Sequence, residues 1–261
     1  MIDTIEIGEV ARANGVPAST IERDYVQNWF LKGLYSKERG MIFKGGTAIR
    51  KAHINNYRFS DDLDFTLIAQ MEETRLKDII EECAHFIRDE VNVNVEDRIS
   101  LEQNENGWVG NIYFRLMRKT GSPLKIKLDI SNAENEILLT PSEKLPVFHN
   151  YSDEYDATVE VYSLREIVAE KARVLFQRVR SRDLYDVHRL WQNMEGVEVR
   201  TLFLEKCKFK EIVPKLSHFI AKEKNYKGAW ESSLRHQMKD LPDFDGVFEE
   251  TRLILERLGA E

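Results

Sequence analysis

Apolar positions recur at helical spacing over residues 5–13 and 19–35, where Ile21, Tyr25, Trp29, Phe30 and Leu34 make one stripe. The two predicted helices are joined by NGVPAS, and Ser19 and Glu22 have the spacing of a capping box at the second. A strand is predicted over 41–43, followed by a Gly-Gly turn and a short helix over 47–54. Residues 63–67 alternate apolar and polar as a half-buried strand does. The helical period returns over 72–90, with Leu76, Ile79, Ile80, Cys83 and Ile87 on one side. Strands are predicted over 91–95, 108–117, 124–130 and 158–162, and the polar stretch 96–107 predicts a turn or loop. Beyond Ser163 the pattern is helical. Ser163-Leu-Arg-Glu166 opens one helix as a capping box, 183–194 forms a second, and about three more follow.

This order predicts an α+β protein with three parts: an N-terminal helical pair (1–36) packed on the core, an α/β core (37–155) and a helical C-terminal part (156–261). A cleft is expected between the two larger parts. The phrase EVARANGVPASTIERD also has the outline of a helix-turn-helix, with residues 19–23 opening a recognition helix. Its stripe is more apolar than a base-reading helix requires, which favours the packed pair.

Composition narrows the functional classes. The chain has 261 residues, of which 42% are hydrophobic and 32% charged, and a formal net charge of −7, which argues against broad electrostatic binding of nucleic acid. It has no apolar run of membrane-spanning length and no signal-like start, so a soluble, cytoplasmic protein without membrane contact is expected. Cys83 and Cys207 are too far apart for a CxxC site and read as helix-face thiols. The histidines show no metal-ligand spacing, and His188 reads as structural. One basic run stands out: Lys171, Arg173, Arg178, Arg180 and Arg182.

Candidate chemistry concentrates in FKGGTAIRKAHINNYRFSDDLDFTL. On a strand, Asp62 and Asp64 face together while Leu63 and Phe65 turn to the core; Asp61 then faces away and is expected in solvent. Two such carboxylates can hold a hard divalent cation, Mg2+ or Mn2+. Asp129, at the end of KIKLDI, supplies a third acid from a later strand. Gly45 and Gly46 lie between a strand and a helix, where backbone N–H groups can approach a phosphate, and Thr47 adds a hydroxyl. Lys44, Arg50 and Arg58 lie near the turn. Lys44, Arg58 and Ser60 join the nucleotide-holding set, Arg58 and Ser60 as supports of the acid strand. No Walker motif is present. Farther along, Lys171 borders a predicted core face in a stripe with Leu175 and Arg178, an unusual place for a lysine without a task. Its ammonium can meet a triphosphate. Asp183 and Asp186, one helical turn apart, can orient Lys171 or the nucleotide. The bland alternatives are a surface turn for the DxD, a glycine-requiring bend for Gly-Gly and ordinary ion pairing for Lys171.

The ordered motifs IERDYVQNWFL, FKGGTAIRKA, RFSDDLDF, YSLREIVAEKARVL and RDLYD resemble the AbiEii/AbiGii toxin family of nucleotidyltransferases over about residues 19–190. Arg23 stands where many members carry lysine and is taken to lie away from the acids; the last 70 or so residues carry no recognised motif. The resemblance implies a DNA-polymerase-β-like nucleotidyltransferase core with a mixed sheet, followed by a helical domain. It also implies a toxin of toxin–antitoxin and abortive-infection pairs, partnered by a winged-helix antitoxin. Some members transfer nucleotides from an NTP to the 3′ end of tRNA. Matched by motif, the metal acids are Asp62 and Asp64, the phosphate turn is Gly45, Gly46 and Thr47, and the later motifs are Lys171, Asp183 and Asp186. Two other readings compete: the same chemistry on a protein or small-molecule acceptor, and a non-catalytic regulator or partner-binding module.

Overall fold

The computed structural model describes residues 2–37, 39–117, 120–192, 194 and 196–261. The chain divides into two compact units, residues 1–136 with 142–162, and residues 137–141 with 163–261.

The first unit opens with α1 (Thr4–Asn14), capped by Asp3, whose carboxylate accepts from the Glu6 N–H at 2.8 Å. Gly15 stops it in the left-handed region at φ 63°, where glycine carries no Cβ penalty. α2 (Ala18–Tyr35) follows. The expected Ser19–Glu22 box does not form: α2 begins one residue earlier, behind Pro17, without a side-chain cap. Glu22 instead accepts from the Met117 N–H at 3.0 Å. α2 is buried nearly all round, Thr20, Glu22, Asp24, Gln27 and Asn28 as well as its apolar stripe. A helix sunk this way presents no groove-reading face, so the helix-turn-helix outline has no structural counterpart here.

Then come β1 (Met41–Lys44), α3 (Gly45–Ala48), a wider helical turn over Ile49–His53, β2 (Asp62–Leu67), α4 (Glu73–Val91), β3 (Asn94–Asn104), β4 (Gly107–Arg115), β5 (Leu124–Ser131), β6 (Glu143–Pro146) and β7 (Thr158–Val161). Among the described residues these strands form one seven-stranded mixed sheet in the order β3-β4-β5-β2-β1-β7-β6. β2 is central, antiparallel to β1 and parallel to β5. Leu63 and Phe65 of β2, Ile126, Leu128 and Ile130 of β5, and Ile112 and Phe114 of β4 are all buried, each large side chain contributing about 2 kcal/mol by leaving water. Helices cover this face. Phe30 of α2 meets Phe65 with ring centroids 6.5 Å apart, and a Cβ on Gly33 would lie 2.9 Å from Phe86 of α4, so glycine lets these two helices approach closely.

Two strands escaped the hydrophobic pattern. Residues 96–104 are strand, where a loop was expected. β3 is an edge strand paired to β4 alone and largely exposed, so it needs no apolar alternation. β6 is likewise an edge strand, four residues long and ending in Pro146.

The second unit is helical: α5 (Leu164–Val174), α6 (Ser181–Trp191), α7 (Gly196–Phe209), α8 (Leu216–Ile220), α9 (Glu223–Leu234) and α10 (Phe244–Arg257). Ser163 caps α5, accepting from the Glu166 N–H at 3.2 Å. Glu166 does not close the box. Its carboxylate takes the Leu139 and Thr140 N–H groups and the Lys206 ammonium at 2.7 Å, tying residues 137–141 into this unit. Phe219 and Phe248 stack at 4.6 Å beside Tyr226 to centre the helical core. Among the described residues no helix is long and apolar enough to cross a membrane.

Candidate active site

The turn after β1 explains both glycines, for different reasons. Gly45 has φ 79°, and a Cβ there would overlap the Asp64 carboxylate. At Gly46 an added Cβ would lie 2.9 Å from Nη2 of Arg58 and 3.1 Å from Oγ of Ser60. The backbone thus lies directly against the acid strand and its supports, which a turn needing one glycine does not require. Thr47 is wholly buried, and its hydroxyl donates to the Asp62 carbonyl, tying the turn to β2 rather than facing a ligand.

Within β2 the alternation is as the sequence implies: Asp62 and Asp64 are half-buried on one face, while Leu63 and Phe65 are in the core. Register supplies the rest of the row. Asp64 lies opposite Lys44 of β1 on one side and Asp129 of β5 on the other, and Asp62 lies opposite Lys127. Neighbouring strands are about 4.8 Å apart, so the three carboxylates share one small area of the sheet. Asp129 pairs with Lys127 at 2.6 Å, the preceding residue on the same face of KIKLDI. The Lys44 ammonium is buried 3.2 Å from Ser131 Oγ and 3.5 Å from Glu136, 5.7 Å from the Tyr162 ring centroid.

Arg58 is buried and donates to the Phe59 carbonyl at 3.1 Å, with Ser60 buried beside it. Arg50 is directed elsewhere: it pairs with Asp24 at 2.8 Å, donates to the Tyr57 carbonyl and lies over the Phe59 ring at 3.6 Å. Asp61 is not left to solvent. It pairs with Arg23 at 2.5 Å, so Arg23 adjoins the acid strand rather than lying away from it.

The second unit holds its own charged group. The Lys171 ammonium is 2.9 Å from Asp183 and 2.7 Å from Asp186, all three buried. Arg178 donates to the other Asp183 oxygen at 3.0 and 3.1 Å. Burial pushes the Asp183 carboxyl up, but Lys171 and Arg178 outweigh it and hold the group well below the usual carboxylate range. The stripe predicted for Lys171, Leu175 and Arg178 is not helical throughout. α5 ends at Val174, where the chain tightens through Leu175→Ala172 and Phe176→Arg173 backbone bonds, and Arg178 reaches Asp183 from the following turn. Nor is the basic run one solvated face: Lys171 and Arg173 are buried, while Arg178 and Arg180 are exposed. His188 pairs with Glu250 at 2.8 Å, a structural contact. Burial pushes the Cys83 thiol up to about 12 and Cys207 to about 11, consistent with inert core thiols.

Among the described residues no three His, Cys, Asp or Glu side chains gather as a ready-made metal cage. A magnesium ion does not need one, since it is commonly held by one or two carboxylates together with substrate phosphates and water. Hard oxygen donors on one accessible face, Asp62 and Asp64, fit that mode of binding.

A mixed sheet with the acid strand packed on a two-glycine turn, followed by a helical unit, is the fold of nucleotidyltransferase structures that this chain resembles. Its fold is similar to that of MenT4, a nucleotidyltransferase toxin of Mycobacterium tuberculosis H37Rv, with a TM-score of 0.67 at 17% identity over 99% of this chain and 90% of that one. An H. pylori protein assigned as a nucleotidyltransferase matches with a TM-score of 0.59 at 16% identity, over 93% of this chain and 96% of that one. No curated protein sequence matches the chain. The family model for the nucleotidyl transferase AbiEii toxin of type IV toxin–antitoxin systems matches residues 29–250, and the chain belongs to that family.

Proposed function

We propose that this nucleotidyltransferase toxin moves a nucleoside monophosphate from an NTP to the 3′ end of tRNA with the help of Mg2+, and so blocks translation. The observation that carries the reading is the register that sets Asp64 between Lys44 and Asp129, with Asp62 on the same face and the Gly45 backbone against Asp64. Asp62 and Asp64, with Asp129 from the adjacent strand as a third oxygen donor, would hold the divalent ion, which supplies neutralisation of the phosphates and polarisation of the attacking oxygen. The N–H groups of the Gly45-Gly46 turn face the phosphates, and the buried Lys44 brings positive charge to the same row. Arg58, Ser60 and Thr47 keep the turn and the strand in place. Asp129 accepts the proton of the acceptor hydroxyl as its oxygen bonds to the α-phosphorus. The bond from that phosphorus to the bridging oxygen breaks, and pyrophosphate leaves. In the second unit, Asp183 and Asp186 hold the Lys171 ammonium in place as a candidate phosphate contact.

Family membership supports an NTP substrate and an antitoxin partner. We assign the antitoxin to the winged-helix type and the site of action to the cytoplasm. The acceptor is tested by incubating the protein with each α-labelled NTP, in separate reactions with tRNA and with cell lysate. Label at the tRNA 3′ end is expected. Label in protein bands with none in tRNA overturns the tRNA assignment in favour of protein nucleotidylation.

A further inference from the structure

The backbone leading into β2 runs outside the sheet ladder, since pairing with β5 starts at Asp62. Buried carbonyls there need donors from elsewhere. Side chains supply them. Arg50 donates to Tyr57, Arg58 to Phe59, and Thr47 to Asp62. Gln27 of α2, wholly buried, donates to Ser60 at 3.2 Å and Asp61 at 2.9 Å. One turn earlier on α2, Arg23 makes two contacts of a different kind. Its Nη1 holds the Asp61 carboxylate at 2.5 Å, and its Nε donates to the Lys125 carbonyl of β5 at 3.1 Å. Arg23 therefore cross-links the start of the strand carrying Asp62 and Asp64 to the start of the strand carrying Asp129.

We infer that Arg23 is a positioning residue: it fixes the spacing of the three carboxylates by clamping β2 to β5, while Gln27 holds the depth of the same loop. The inference rests on the reading of those carboxylates as the ion- and nucleotide-holding group. A stability role alone does not account for Arg23. Its pair with Asp61 is partly exposed, 20% and 24% by side chain, and pairs in that setting contribute little to folding. The planar fork suits two directed bonds at once, which an ammonium cannot reproduce in the same geometry.

The test uses the full chain and reads Mn2+ affinity by electron paramagnetic resonance alongside turnover. Arg23→Ala is expected to keep the parental urea midpoint, while the Mn2+ Kd rises and kcat falls by about tenfold each, the usual scale for groups that orient metal ligands. At saturating Mn2+ its KM for the NTP stays near parental. Arg23→Lys keeps the Asp61 contact but loses the Lys125 bond, so it recovers only part of the lost Mn2+ affinity. Unchanged Mn2+ affinity and kcat in Arg23→Ala overturn the inference. So does a loss that follows the urea midpoint downward and that lysine does not rescue. Asp62→Asn separates the two claims. Mn2+ binding in the parent that Asp62→Asn leaves intact overturns the carboxylate reading itself. Binding that needs Asp62 but ignores Arg23 overturns only the positioning role.

Discussion

Gly45 sits at φ 79° with its Cα against the Asp64 carboxylate, so any side chain there meets both a backbone penalty and a steric one. Gly45→Ala is expected to cost about 1–3 kcal/mol of stability, measured by urea unfolding, and to lower nucleotide transfer further by displacing Asp64. Gly46 has only the steric reason, the nearby Arg58 and Ser60 side chains. Much at this scale was readable beforehand. Period-2 alternation alone assigns Asp62 and Asp64 to one face and Leu63 and Phe65 to the other. What stayed hidden were contacts far apart in sequence: Arg23 with Asp61, Gln27 with the Ser60 and Asp61 carbonyls, and the register that sets Lys127 opposite Asp62. No local spacing encodes a helix-to-loop bond across more than thirty residues.

Helix α2 shows what apolar spacing misses at the scale of an element. Its stripe is legible, but its polar side is buried too, because Asp24 collects Arg50, Lys51 and the Tyr151 hydroxyl at 2.8, 2.8 and 2.7 Å. Burial raises the Asp24 carboxyl, yet Lys51 and Arg50 more than compensate and hold it far below its usual range. Asp24→Ala leaves two buried cations without this partner and is expected to cost about 3–5 kcal/mol in urea unfolding. In the α5–α6 pair, Asp183 is likewise depressed beneath its unfolded value of about 4. Between the two values the unfolded chain binds more protons, so this stabilisation is complete above about pH 4 and fades as pH falls toward the folded value. The urea midpoint should therefore fall on acidification below about pH 4, and Asp183→Asn should lower the midpoint at neutral pH and flatten that fall. Edge strands β3 and β6 lacked a legible pattern because one paired side and open solvent ask little of their side chains.

The whole molecule combines a mixed sheet whose one face carries the carboxylates and a helical unit with its own buried charged group around Lys171. Along the sequence the hydrophobic period turns helical after Ser163, the residue from which the second unit runs on to the C-terminus. The involvement of residues 137–141 in the helical unit was not legible. It depends on Glu166 and Lys206 capturing that segment's backbone, which no periodicity encodes. If toxicity arises from chemistry, expressing Asp62→Asn should leave growth unimpaired while the parent arrests it, with both proteins folded to equal extent. The most direct measurement of the central claim is transfer of α-labelled nucleotide by purified parent and Asp64→Asn with Mg2+ present and then chelated. The account predicts label transfer with pyrophosphate release by the parent alone, abolished by chelation. Equal transfer by Asp64→Asn, with circular dichroism matching the parent, would contradict it.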